Sequence, residues 1–386
     1  MSRLIETSRM EIASPRGTNG SFAPVVPAPH LELANGPHID GERESLESIA
    51  TEADLEACLS EPTEHVIDVL RRLDGDILIL GAGGKMGPTL ARMARRASDA
   101  AAVRRRVIAV SRFSQPDSRQ NFEMHGIETV SCDLLDPKQL SSLPDCRNVV
   151  FMAGFKFGSM RQPATTWAVN TLLPALVAER FSSSRLVAFS TGNVYGMTSV
   201  GAGGSLECDA PNPGGEYAMS CLGRERMFEY FSAQNNIATA ILRLNYACEL
   251  RYGVLVDLAE KVWAGETIDL TMGYFNAIWQ SDANAAALAA FDVVSTPPKI
   301  INVSAPEMNE VRQVCETLAR CFNKSCRFTG APATDAFLTN NELMVSLLGP
   351  VRWKTSDILP VVARWVERGG LRLGKPTHFQ SRSGCF

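Results

Sequence analysis

The stretch Asp76 to Gly87, DILILGAGGKMG, constrains this chain more than any other. Ile77 to Leu80 is an unbroken apolar run, as a strand buried on both faces requires. Gly81, Gly84 and Gly87 follow at G-x-x-G-x-x-G spacing, and Thr89 to Ala97 (TLARMARRA) reads as helix. A strand that turns on glycines into a helix lets the backbone approach a pyrophosphate, whose charge then sits at the helix N-terminus. With both flanks in place the stretch reads as a dinucleotide-binding turn, and Lys85 within it is positioned to touch phosphate.

Downstream, strands alternate with helices, the sign of a parallel sheet. Strands are expected at Val107 to Val110, Glu128 to Ser131, Val149 to Met152, Leu186 to Ser190 and Ala238 to Leu244. Helices are expected over Thr166 to Phe181, tolerating Pro174, and over Tyr217 to Gln234. After Asn245 the rhythm changes to helices broken by short strands, among them Lys299 to Val303. The fold class is therefore α/β, a Rossmann-type doubly wound parallel sheet with a smaller C-terminal α/β substrate lobe. Residues 1–43, rich in proline and poor in apolar residues, read as disordered. Residues 44–75 read as a helical extension capping the first strand, and 76–245 as the nucleotide-binding domain. Residues 246–370 read as the interleaved lobe, and 371–386 as a loose tail.

Composition narrows the partners. A net charge of −4 over 386 residues leaves no electrostatic footprint for nucleic acid. No apolar run approaches the roughly 18 residues that a membrane span needs, and the N-terminus lacks the apolar block of a secretory signal. Ten cysteines and five histidines are scattered without metal-ligand spacing. They read as reduced thiols of a cytoplasmic protein with no structural metal.

From about Asp76 to Gly370 these landmarks resemble an extended short-chain dehydrogenase/reductase of the NAD(P)-dependent epimerase/dehydratase family. GAGGKMG resembles its glycine loop, with Met86 among the cofactor contacts. Cys132-Asp133-Leu134 resembles the step whose Asp contacts adenine, and Met152-Ala153-Gly154 the segment lining the cofactor. Val169-Asn170, FSTGNVYG (Phe189 to Gly196) and EYAMSCLGRE (Glu216 to Glu225) follow in the family's order. The resemblance implies hydride transfer at a sugar-like or nucleotide-sugar carbon. Tyr217 would be general acid/base, and Thr191 would hydrogen-bond the reacting oxygen. Tyr195 would lie near the substrate mouth or serve as a turn aromatic. A homodimer would form through the helices that begin at Thr166 and Tyr217.

Three departures qualify the resemblance. The family's lysine four residues after the tyrosine is replaced by Cys221, on the same helix face as Tyr217. An unassisted tyrosine of pKa ~10 is about one-thousandth ionised at pH 7, a handicap of roughly 4 kcal/mol. Arg224, one turn further on, reads as a solvated helix arginine or a substitute cation, the former preferred. Lys156, after the fourth strand, reads as a surface or an active-site lysine. Second, the second expected strand ends Val110-Ser111-Arg112 without an acidic residue, which favours NADP over NAD. Third, the R-x-x-N step is off register at Arg243 and Asn245, leaving Asn245 and Arg251 as substrate contacts, Arg251 as a phosphate clamp. The alternative to an enzyme is a catalytically impaired NADP-binding regulatory or structural protein.

Overall fold

The computed structural model describes residues 46–114, 118–375, 377–382 and 384. The expectation for residues 1–43 concerns positions outside these. The frame is a parallel sheet of seven strands: β1 (Ile77–Leu80), β2 (Val107–Ser111), β3 (Glu128–Ser131), β4 (Asn148–Phe151), β5 (Arg185–Thr191), β6 (Thr239–Leu244) and β7 (Lys299–Val303). Their order is β7-β6-β5-β4-β1-β2-β3. The winding reverses between β1 and β4, so a crevice opens at the carboxyl ends of those two strands. β1 pairs with β2 and β4, Ile79 standing opposite Ala109 and Val150.

The helices are α1 (Glu52–Leu59), α2 (Glu64–Arg72), α3 (Gly87–Ala100), α4 (Ser118–Glu123), α5 (Pro137–Ser141), α6 (Pro163–Trp167), α7 (Leu173–Arg180) and α8 (Gly215–Asn235). The lobe adds α9 (Val254–Ala264), α10 (Gln280–Ala289), α11 (Val311–Cys321), α12 (Glu342–Leu348) and α13 (Thr355–Glu367). Successive strand side chains point to opposite sheet faces, and the core divides accordingly. Ile77, Ile79, Ala109, Val150 and Leu242 pack with α2, α3 and α10. Leu78, Leu80, Val110, Phe151 and Ile241 pack with α7 and α8. A third cluster, built on α9, α11 and α13, takes in Leu55 and Leu59 of α1. The two N-terminal helices are therefore built into separate cores, α1 into the lobe and α2 onto the sheet. Each starts on a threonine cap: Thr51 accepts from Asp54 N at 3.2 Å and Thr63 from Val66 N at 3.1 Å.

Two segments differ from the sequence reading. Thr166 to Arg180 is continuously helical, as expected, but a π-turn over Ala168–Leu172 lies between α6 and α7. Pro174 has no N–H for the Asn170 carbonyl, and its ring would collide with that carbonyl in a regular helix. A turn widened by one residue relieves the collision. Arg224 Nε takes up the released carbonyl at 3.5 Å. The segment after Leu371 is anchored rather than loose. Leu373 N donates to Arg251 O at 3.1 Å, Thr377 N to Asp257 Oδ2 at 2.8 Å, and the Phe379 ring is buried in the lobe core. Among the described residues no helix is long and apolar enough to cross a membrane.

A buried ion pair fastens α8 to the sheet. Glu225 meets Arg243 of β6 at 2.7 Å, with neither side chain more than 2% exposed. Ser190 of β5 donates to the same carboxylate. Removing one partner leaves the other charge without water, so Glu225→Ala is expected to lower the free energy of unfolding in urea by about 3–5 kcal/mol. Glu229→Ala, which breaks the solvent-facing Arg226 pair on the same helix, is expected to cost less than about 1 kcal/mol.

Candidate active site

The glycine turn after β1 is shaped by close contacts. Gly81 has φ +86°, and a Cβ there would lie 2.6 Å from Ala153 N. A Cβ on Gly87 would stand 2.0 Å from the Ala82 carbonyl oxygen. Gly84 is less crowded and opens onto the crevice. α3 then begins at Met86 with no side-chain cap, so the positive end of its dipole is left for an anion.

Two cavities occupy the crevice. One, of about 320 Å³, is lined by Gly81, Gly84, Ser111 and Arg112, together with Asp133, Leu134, Ala153 and Gly154. The other, of about 380 Å³, is lined by Lys85, Met86, Thr191 and Tyr217 among others. Both include Gly84, Met152, Gly154 and Phe155, so they form one continuous groove. The arrangement fits a dinucleotide. The small residues and the uncapped helix terminus suit a pyrophosphate at the middle, with room for a base and ribose on either side.

Tyr217 stands in the first turn of α8, close to Thr191 at the end of β5 and to Cys221 one turn on. Burial pushes the phenol above the usual tyrosine range; Cys221 reinforces this, while Arg224 and the Thr191 hydrogen bond oppose it. Cys221 is fully buried against Val194 and Tyr195 and does not line the cavity. Burial raises its thiol as well, which keeps it protonated.

Arg224 is not solvated. It is 5% exposed, donating to Phe189 O at 2.7 Å and to Asn170 Oδ1 at 2.9 Å. Lys156 lines the site and is partly buried, its Nζ 5.5 Å from the centroid of the Tyr217 ring. Burial lowers Lys156 to about 8, with Cys221 opposing and Lys85 adding to the fall. Lys85 reaches across the groove, donating to Ala247 O at 2.8 Å and lying 4.1 Å over the Tyr252 ring. Its own value is brought to about 8 by burial, with Glu249 opposing.

Other candidates stand back from the groove. Asn170 is fully buried in the π-turn, and its amide holds both the N–H and the carbonyl of Phe155, at 2.8 and 2.9 Å. It shapes the loop that lines the crevice without lining it. Tyr195 is buried under the Arg243 guanidinium, with its hydroxyl on Asn302 Oδ1 at 2.8 Å. Asn245 donates to Phe337 O at 3.3 Å and is likewise outside the lining. Arg251 meets Glu56 at 2.7 Å and Glu249 at 3.1 Å, so its charge is already neutralised. Sequence reasoning missed Tyr246, Tyr252, Lys375 and Thr377, which all line the larger cavity. Only Tyr246 carried a signal, since it immediately follows β6 at the carboxyl edge where ligands of such sheets bind.

Residues 77–248 match the sequence profile of the NAD dependent epimerase/dehydratase family. No curated protein matches the chain. Several solved structures share its fold. MoeE5, in complex with UDP-glucose and NAD, has 20% identity and a TM-score of 0.61, over 76% of this chain and 99% of that one. The UDP-glucuronic acid 4-epimerase of Bacillus cereus, in complex with UDP-glucuronic acid and NAD, gives 18% and 0.62 over the same shares. The UDP-Glc/GlcNAc 4-epimerase of Campylobacter jejuni gives 19% and 0.63, over 76% of this chain and all of that one (100%). At these identities the likeness speaks for the fold. Profile, strand order and glycine turn agree, and residues 77–248 are similar in sequence to the NAD dependent epimerase/dehydratase family.

Proposed function

We propose that the protein is an NAD(P)-dependent epimerase, dehydratase or reductase acting on a nucleotide-sugar. The observation that carries this reading is the single groove running from Ser111 and Arg112, past the glycine turn, to Tyr217 and Thr191. A nicotinamide dinucleotide bound there supplies a hydride acceptor for the sugar carbon. Tyr217 takes the proton of the adjacent hydroxyl, and Thr191 holds the phenol oxygen in line. The substrate is an anion on this reading. Lys85, Lys156, Arg224 and Lys375 line the larger cavity, and no carboxylate does so among the described residues. With Arg251 paired to two glutamates, Lys85 and Lys375 are the lysines proposed to meet a diphosphate. The relatives bound to UDP-sugars and NAD favour the same class.

The replacement of the helix lysine by Cys221 favours a second reading, a dinucleotide-binding protein without turnover. The two separate on assay of the purified chain with a panel of nucleotide-sugars. The enzyme reading expects conversion that Tyr217→Phe reduces at least ~100-fold in kcat, the scale of a lost general acid/base, with dinucleotide affinity unchanged. Binding of cofactor without conversion of any panel member would establish the second reading.

Cofactor choice rests on Ser111 and Arg112, which face the smaller cavity where an acidic residue would repel a 2′-phosphate. Calorimetry is expected to give tighter binding of NADP than of NAD, with Arg112→Ala weakening NADP about tenfold and NAD much less. Equal weakening of both would remove the argument for NADP. The homodimer is proposed through α6, α7 and α8, where Trp167, Leu172, Met219 and Tyr230 are exposed. Light scattering should find a dimer that Leu172→Glu converts to monomer.

A further inference from the structure

The larger cavity is lined by a partly buried phenol that must lose a proton at neutral pH for the proposed reaction. A desolvated phenol ionises only beside a positive charge. The position one turn along α8, where such a charge would be anchored, holds Cys221, buried in an apolar cluster and outside the cavity. Arg224, further along α8, already favours the phenolate, and a cation from another element would add to it.

The other cations around the cavity are distinguishable by what already holds them. Arg224 is fixed by the Phe189 carbonyl and by Asn170, beneath Gly154. Lys85 is drawn to the far side by the Ala247 carbonyl and the Tyr252 ring. Lys375 belongs to the C-terminal segment, and no contact with Tyr217 is recorded for it among the described residues. Lys156 is the one whose ammonium lies against the Tyr217 ring. Its backbone is positioned for this. The neighbouring residue, Phe155, has both its N–H and its carbonyl fixed by Asn170, whose remaining amide hydrogen goes to Ser220 Oγ of α8 at 3.0 Å. The loop that carries Lys156 is thus tied to the same helix that carries Tyr217.

We propose that Lys156 is the positioning cation of this site, acting on Tyr217 from the loop after β4 in place of a lysine on α8. The inference rests on the enzyme reading above and adds to it the residue that makes Tyr217 usable. Burial supports it: Lys156 is brought to about 8, so its ammonium gives up its proton near the working pH. From α8 Lys156 faces Tyr217 and Cys221, and from the glycine turn Lys85, while Arg224 lines the same cavity. Across the cavity stand Tyr246, Cys248, Tyr252 and Lys375, all without negative charge at neutral pH in their ordinary protonation states.

The test is made on the full-length protein in two arms. In the first, Lys156 acetylation by acetic anhydride is followed against pH by mass spectrometry, which needs no substrate. Half-reaction is expected near pH 8 in the native protein and at lower pH in Tyr217→Phe, where the phenol hydroxyl is gone. Half-reaction near the ordinary lysine value of ~10.4, or an unchanged value in Tyr217→Phe, would overturn the pairing. In the second arm Lys156→Met should lower kcat at pH 7 at least a hundredfold, leave KM within threefold, and move the alkaline rise of the pH profile upward. Lys156→Arg, which keeps a charge that does not titrate, should recover at least tenfold of that loss while abolishing the inflection near pH 8. Near-native kcat in Lys156→Met would sink the proposal. Absence of turnover in the native protein would count against the enzyme reading alone, and the acetylation arm would then decide the pairing by itself.

Discussion

The crevice depends on one amide side chain. Asn170 is buried, and each of its hydrogen-bonding sites is engaged: Phe155 N and Arg224 on its oxygen, Phe155 O and Ser220 on its nitrogen. Four elements meet at this residue: the loop after β4, the π-turn, α8 and, through Arg224, the end of β5. A buried polar network is stabilising only when every member is satisfied, so a shift in any one of these elements is felt by the others. The π-turn belongs to the same arrangement. Pro174 breaks the helix ladder at the Asn170 carbonyl, and Arg224 occupies what the break exposes.

A second buried network stands behind the first. Glu225 receives Ser190 and Arg243, Arg243 covers the Tyr195 ring, and Tyr195 reaches Asn302 of β7. Asn302 in turn donates to the carbonyls of Ser205 and Asn340, in the loops before α8 and before α12. The chain of contacts joins α8, three strands of the sheet and the lobe. Tyr195, read from sequence as either a mouth residue or a turn aromatic, is a link in this chain, which explains why it is buried rather than presented to a ligand.

The sheet was legible because its signal is local. A strand covered on both faces must be apolar throughout, and Ile77 to Leu80 could hardly be read otherwise; the same holds for Val107 to Val110. The glycine turn was legible for a similar reason, since β1, the turn and α3 are contiguous in sequence. The residues misjudged or left open are those whose role depends on distant partners. Arg251 looked available until Glu56, nearly two hundred residues earlier, was placed beside it. Arg224 looked like any helix arginine because its acceptors, Phe189 O and Asn170, belong to other elements. Lys156 sits in a loop without periodicity, and its inward course follows from Asn170, which no local pattern reveals. The segment after Leu371 is polar and glycine-containing, as loose tails are, yet Thr377 and Phe379 dock it on the lobe.

The ring of basic groups around the larger cavity has a consequence for how the protein behaves in a test tube. A cleft walled by basic groups concentrates small multivalent anions. Phosphate and sulfate buffers, like free nucleotides, will therefore act as competitors at the mouth of the cleft. The apparent strength of ligand capture will fall steeply as ionic strength rises from a few millimolar toward cellular values.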